Sequence, residues 1–259
     1  MSHTSLHLAA LASLAAATVF AAENTNTTTR LPEVVVTATR SEQPVDQTAA
    51  SVTVITREEI NTRQINTLAD ALEGVPSLSV VRNGTPGQLT SVFLRGTESN
   101  HTLLTVDGRR VPANLAGGFD YANLALDNVE RIEVVRTSSS SLYGADAIGG
   151  VINVITKSGR GLAKPEHEVS FEGGSFNTFR ETAASRGAFG KFDYAVSGSQ
   201  MNADFPRDNN GYRLTNLRSS LGYQLTDQVY LDLKSSFYES DGGAPGNAAF
   251  ASLTDRLKR

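Results

Sequence analysis

The 259 residues are 39% hydrophobic, enough for one large domain or two ordinary ones. The absence of cysteine excludes a disulfide framework and a thiolate metal site, though not an oxidising compartment. A formal net charge of -4, with Lys and Arg scattered along the chain, lacks the basic footprint of nucleic-acid binding.

Leu8 to Ala22 is almost wholly apolar, too short to span a bilayer, and runs into Val19-Phe20-Ala21, which suits signal peptidase. Residues 1–21 are therefore expected to be a signal peptide, although the leading segment holds His3 and His7 and no Lys or Arg. No later apolar run is long enough for a transmembrane helix, so any insertion into a membrane needs a barrel. Residues 22–42 read as a flexible segment, because Glu23 to Arg30 is small, polar and aperiodic. It ends in a β-branched run, Glu33-Val34-Val35-Val36-Thr37-Ala38, which forms a strand where a partner is available.

Residues 43–161 have the texture of a mixed α+β domain. Val52, Val54 and Ile55 read as a strand, and Thr56 with Glu59 forms a capping box that opens a short helix. A second helix is capped by Thr67 or Asn66, turns Leu68, Ala71 and Leu72 to its apolar face, and stops at Gly74 and Pro76. Strand-like runs follow at 78–81, 92–95, 103–106, 131–135 and 151–156, separated by Gly, Asn and Pro turns. Gly144, Gly149 and Gly150 have the look of a phosphate cradle, but they lead into a strand and lack the helix dipole that such a site needs.

Beyond Lys164 the hydrophobic period becomes two. Leu217, Ser219, Leu221, Tyr223 and Leu225 alternate with Arg218, Ser220, Gly222 and Gln224, and residues 192–197 and 229–237 repeat the pattern. Five strands are expected, roughly at 167–175, 179–188, 191–200, 213–225 and 228–238, each long enough for a tilted membrane strand. Tight connections at 188–190 and 226–228, against long ones at 201–212 and after Glu239, favour a membrane barrel over a soluble sandwich. Five strands do not close such a barrel, so residues 162–259 are expected to be its first part in a truncated chain.

Catalysis finds no foothold, because His101 and His167 stand in no motif that makes a nucleophile, a base or a metal site. No enzyme activity and no cofactor are expected. Arg95, Arg131 and Arg136, set among Asp107, Glu130 and Glu133, are expected to pair with one another and with a polar barrel wall.

Several of these segments together resemble TonB-dependent outer-membrane receptors, and the resemblance covers nearly everything from Glu33 to about Gly246. Glu33 to Ala38 looks like the TonB box. Phe93-Leu94-Arg95-Gly96, Leu103 to Gly108 and Ser141 to Asn153 look like plug signatures, with Thr137-Ser138 in place of the usual Gly-Pro after Arg136. The resemblance implies an α+β plug followed by antiparallel strands of an incomplete transmembrane β-barrel, of about 22 strands when complete. It also implies an outer-membrane location in contact with lipid, and TonB with its inner-membrane energising complex as partner, gripping the exposed box by strand addition. Without the other signatures, Val34 to Val36 would read as an ordinary edge strand packed on the domain.

Residues 83–91 and 95–101 resemble the loops of cobalamin receptors within that family. By that likeness Leu89, Ser91, Ala116 and Gly117 meet the ligand, a cobalamin ahead of a ferric siderophore. Asp204, Asp208, Asn210, Tyr238 and Glu239 match loop positions that bind calcium there, with solvated charges as the other reading. A signalling receptor would need a further domain before the box, for which only about a dozen residues after Ala21 leave little room; a soluble exported binding module is the remaining alternative.

Overall fold

The computed structural model describes residues 34–35, 37, 43–44, 47–84, 86–113, 117–206 and 209–243. The expected signal peptide and the site residues Glu33, Val36, Ala38, Ala116 and Asp208 lie outside the described residues.

Strand β1 (Val34–Val35) pairs antiparallel with β2 (Gln43–Pro44). Strand β3 (Val52–Thr56) runs into helix α1 (Arg57–Thr62), where the extended Thr56 accepts a hydrogen bond from the Glu59 N–H at 3.3 Å. Helix α2 (Leu68–Leu72) is capped the same way by Thr67, and Leu68, Ala69, Ala71 and Leu72 are all buried. Strands β4 (Leu78–Arg82) and β5 (Thr90–Leu94) form a separate antiparallel pair. Strand β6 (Thr102–Val106) turns into β7 (Arg109–Arg110) through Asp107 and Gly108, both left-handed at φ 50 and 75, as a two-residue hairpin turn requires. Strand β8 (Val129–Val135), helix α3 (Ser140–Tyr143) and strand β9 (Gly150–Thr156) complete the plug.

The plug sheet has the order β3-β8-β9-β6-β7, with β6 and β9 parallel and every other pair antiparallel. A parallel pair needs a long crossover, and residues 107–149 supply it. The core gathers Leu68, Leu72, Leu104, Ile132 and Ile152 between this sheet and the two helices, each worth about 1.5–3 kcal/mol in transfer from water. Gly150 opens β9 at φ 150, where a Cβ would run into the Val135 carbonyl and Leu94. The glycines therefore serve close packing.

Strands β10 (Glu166–Gly174), β11 (Thr178–Phe189), β12 (Phe192–Asp204), β13 (Gly211–Gln224) and β14 (Tyr230–Gly242) form the wall, an antiparallel sheet in sequential order. Among the described residues this sheet is open, with β10 and β14 at its edges. Strands β12 and β13 run further than the side-chain pattern implies, because the ladder from Met201–Asp204 to Gly211–Leu214 is a main-chain interaction indifferent to polarity.

The wall's two faces are inverted relative to a soluble sheet. Asp193, Ser197, Asn216 and Ser220 are buried against the plug, while Phe171 is 70% and Leu233 68% exposed on the far side. An apolar face turned outward and a polar face turned inward is the pattern of a strand that meets lipid. No helix is long and apolar enough to cross a membrane.

Gly150→Ala should lower plug stability by about 2–3 kcal/mol, from a disfavoured backbone plus a displaced neighbour. Gly161→Ala, at φ 78 with no atom within 4 Å, should lose about 1 kcal/mol. Urea-unfolding midpoints of the two variants make the comparison.

Candidate functional site

Two plug loops meet at the end of the wall that carries the 205–210 connection. Asp120 joins them, since its Oδ1 accepts from the Thr90 N–H at 3.1 Å and from the Ala122 N–H at 3.0 Å. The Tyr121 N–H then donates to the Thr90 carbonyl at 3.1 Å. Wall residues hold the pair from the side. Gln88 Nε2 donates to the Gly243 carbonyl at 3.0 Å, and the Tyr212 hydroxyl donates to Asn123 Oδ1 at 2.9 Å. The Tyr212 ring lies so close to Gly87 that any Cβ there would overlap it.

The structure thus brings together the loops of Leu89 and Gly117. Leu89 is 44% exposed, and Gly117 is exposed at φ 79. Ser91 is not on a loop tip: it lies in β5 opposite Val81, half-buried, because the ladder with β4 starts at Thr90. Gln88, Asp120, Asn123 and Tyr212 organise the site and were not expected from the sequence. The available signal was Asp120, whose short carboxylate favours bonding a backbone N–H two residues on. Tyr121 is fully buried, which pushes its phenol above the ordinary tyrosine range.

Beneath the loops a cavity of about 370 Å³ separates the plug from β13 and β14, lined among others by Asp107, Arg109, Arg218, Lys234 and Tyr238. Asp107 accepts from the Thr156 N–H at 2.8 Å and the Thr156 hydroxyl at 2.7 Å on the plug, and from Lys234 Nζ at 2.8 Å on the wall. Further ion pairs cross the same interface. Lys157 reaches Glu168 at 2.7 Å, Arg186 reaches Glu130 at 3.6 Å, and Arg180 pairs with Asp127, which also accepts from Ser199. Of the charges singled out in the sequence, Asp107 and Glu130 therefore meet the wall. Arg131 instead stays in the plug on Glu133 at 2.9 Å, and Arg136 donates to the Pro76 carbonyl at 3.5 Å.

The run around Val34 to Thr37 departs from the expectation of an exposed segment. Val34 and Val35 pair with Pro44 and Gln43, and Thr37 is only 1% exposed. Its N–H and Oγ1 both donate to Glu133 Oε2, at 2.8 and 2.6 Å, its Oγ1 accepts from Asn153 Nδ2 at 3.0 Å, and its carbonyl accepts from the Tyr143 hydroxyl at 3.0 Å. Burial follows because a buried carboxylate needs donors and Thr37 supplies two.

Of the residues expected to hold calcium, the four described ones, Asp204, Asn210, Tyr238 and Glu239, do not converge on one point. Asp204 ends β12 and accepts from Asn177 Nδ2 at 3.1 Å, and Asn210 is buried just before β13. Tyr238 and Glu239 are neighbours on β14, paired across to Asn216 and Thr215, so their side chains leave opposite faces of the strand. Among the described residues no three His, Cys, Asp or Glu side chains are grouped to hold a metal ion.

A folded domain fastened by ion pairs to the polar face of strands whose other face is apolar is an arrangement suited to a membrane β-wall with a domain packed on its polar side. Residues 44–151 match the sequence profile of the TonB-dependent Receptor Plug Domain, and the chain is similar to transporters that carry this domain. It is 34% identical over 236 residues to the vitamin B12 transporter BtuB of Photobacterium profundum, a match covering 85% of this chain and 38% of that protein. To the vitamin B12 transporter BtuB of Vibrio cholerae it is 47% identical over 124 residues, 48% of this chain and 20% of that one. The crystal structure of the ferripyoverdine receptor of the Pseudomonas aeruginosa outer membrane shares the fold, with a TM-score of 0.72 at 20% identity over 80% of this chain and 27% of that chain. The chain spans well under half the length of each of these proteins.

Asp120→Ala should untie the loops, leaving the Thr90 and Ala122 N–H groups without their acceptor, a loss of about 1.5–3 kcal/mol. Amide exchange at those two residues should accelerate while the core strand β9 stays protected. For Tyr121, a raised folded pKa means that its stabilising effect is complete below the ordinary tyrosine range and is lost as pH climbs through it toward the folded value. Tyr121→Phe should therefore lose less stability than the parent between about pH 8 and about pH 11, as urea midpoints at the two pH values will register.

Proposed function

We propose that this chain is the plug and first wall strands of a TonB-dependent transporter. In this reading it lies in the outer membrane of a Gram-negative-type bacterium, binds a cobalamin on the loops around Leu89 and Gly117, and delivers it to the periplasm. The observation that carries the reading is the pair of small, polar, Gly-rich loops that Asp120 fixes side by side at one end of the wall, in a chain 47% identical over 124 residues to a vitamin B12 transporter. Loops of that chemistry offer backbone and hydroxyl groups to a bulky, amide-covered ligand. Energy enters through TonB, with its inner-membrane complex, which adds a strand to residues 33–38. The mostly polar plug–wall interface supports transport, since a plug that shifts exchanges ion pairs for water and exposes little apolar surface beyond the contact of Ala125 with Tyr212 and Leu214. A ferric siderophore is the second ligand reading; it rests on the fold shared with the ferripyoverdine receptor.

The test is equilibrium binding to outer membranes carrying the complete receptor, with cyanocobalamin and a ferric siderophore compared side by side. Tight cyanocobalamin binding is expected; siderophore binding with none of the cobalamin overturns the ligand and leaves the receptor class. Val35→Pro should abolish uptake and leave ligand binding intact, because proline removes a main-chain donor from the added strand. Unchanged growth on limiting cobalamin would refute that role for the segment.

A further inference from the structure

Charge does not balance around the cavity between the plug and strands β13 and β14. Arg109, Arg110, Arg218 and Lys234 line it, against Asp107 and Asp120. Both carboxylates are already engaged: Asp107 accepts from Thr156 and Lys234, and Asp120 from the N–H groups of Thr90 and Ala122. Arg110 turns to Asp146 and the Tyr143 carbonyl. Arg109 on the plug and Arg218 on the wall remain, and among the described residues neither guanidinium has a hydrogen-bond or ion-pair partner. Arg218 is half-buried, and a cation so placed lacks both full hydration and a counter-charge, a cost that an anion in the cavity removes. The wall around it is rich in donors. Arg218 stands opposite Ser236 in the ladder, with Asn216 opposite Tyr238 two residues nearer the loops. All four line the cavity, and among the described residues the side chains of Ser236, Asn216 and Tyr238 have no hydrogen-bond partner either. Leu104 and Leu124 give the same cavity an apolar side.

We infer that this cavity binds a phosphate group, which Arg218 and Arg109 reach from the wall and from the plug. A tetrahedral phosphate turns oxygens to both sides, whereas a planar carboxylate is filled by a single bidentate guanidinium. The apolar side suits the carbon substituent of a phosphate ester. A volume of about 370 Å³ takes such a fragment and falls at the small end for a drug-sized ligand. The phosphate has two sources, the free ion in solution and a phosphodiester carried by the transported ligand, as in cobalamin. The second source rests on the ligand reading above; the site itself does not.

The 259 residues hold no cysteine, so Ser236→Cys places a single thiol opposite Arg218, and Gln228→Cys, in the exposed bend between β13 and β14, serves as reference. In membranes carrying a complete receptor otherwise free of cysteine, labelling by a sulfonate-bearing thiol reagent is compared with labelling by a quaternary-ammonium one. The ratio of the two rates cancels the reactivity of the thiol itself. At position 236 it should favour the sulfonate about tenfold over its value at position 228. Arg218→Gln should abolish that preference and Arg218→Lys should keep it. Arg109→Gln, at an exposed side chain that the fold does not depend on, should reduce it by a smaller factor. Dimethyl phosphate should slow labelling at position 236 in the parent and not in Arg218→Gln. Equal ratios at the two positions, a preference that survives both glutamine variants, or no protection by either dimethyl phosphate or inorganic phosphate overturns the inference. Protection by inorganic phosphate alone supports the site and overturns the transported ligand as its source. Protection by dimethyl phosphate in a receptor that binds no cyanocobalamin supports the site and overturns the ligand reading instead.

Discussion

The ion pair between Arg180 of the wall and Asp127 of the plug is nearly dry, with side chains 11% and 8% exposed. Ser199 donates to the same aspartate, and Arg180 also donates to Asn66 Oδ1 at 2.6 Å, so two wall strands and two plug segments converge on one point. Removing one partner of such a pair costs about 3–5 kcal/mol, more than any exposed pair at this interface can supply. What surrounds it depends on that fixed point. Leu126 donates to the Asn66 carbonyl at 3.1 Å, and Ala125 packs with Tyr212 and Leu214, so the end of the second loop and the start of α2 take their height against the wall from here. The loop pair tied by Asp120 is held a few residues away.

The opposite sector of the plug is built differently. Among the described residues the partners of Thr37 lie in the plug, and those on its strands are linked to the wall through Asn153, the Asp107–Gly108 turn and Lys234. One part of the plug is therefore fastened to the wall by a buried ion pair, and the other holds a terminal segment by bonds internal to itself. The interface between plug and wall is polar because every wall strand spends its apolar face on the outside. What faces the plug is mostly Asp, Ser, Asn, Arg and Lys, which bind it by charge and hydrogen bonds, beside one apolar contact of Tyr212 and Leu214 on Ala125.

Local patterns made much of the fold legible. The Thr56 and Thr67 caps, the sustained two-residue period after Lys164, and the Gly-rich approach to β9 were all readable because each reports its own backbone geometry. Strand β7 and helix α3 were not, being only 2 and 4 residues long, too short to carry a period. The site was legible as loops but not as contacts. Asp120 and Tyr212 join segments far apart in sequence, and nothing in either segment states its partner. Thr37 misleads for the same reason: a β-branched run looks free until Glu133, on a strand formed much later in the chain, claims it.

The plug sheet brings together strands that the chain supplies far apart. Val52 meets Val135, and Thr102 lies parallel to Gly150, so β3 has no partner until β8 has emerged and β6 none on its inner side until β9 has. Loop closure of that span must be met before any of these ladders returns free energy, which places the plug among slow-folding topologies. A chain whose ladders close late remains extended and threadable for longer after synthesis, and the pairing order of the sheet sets that interval.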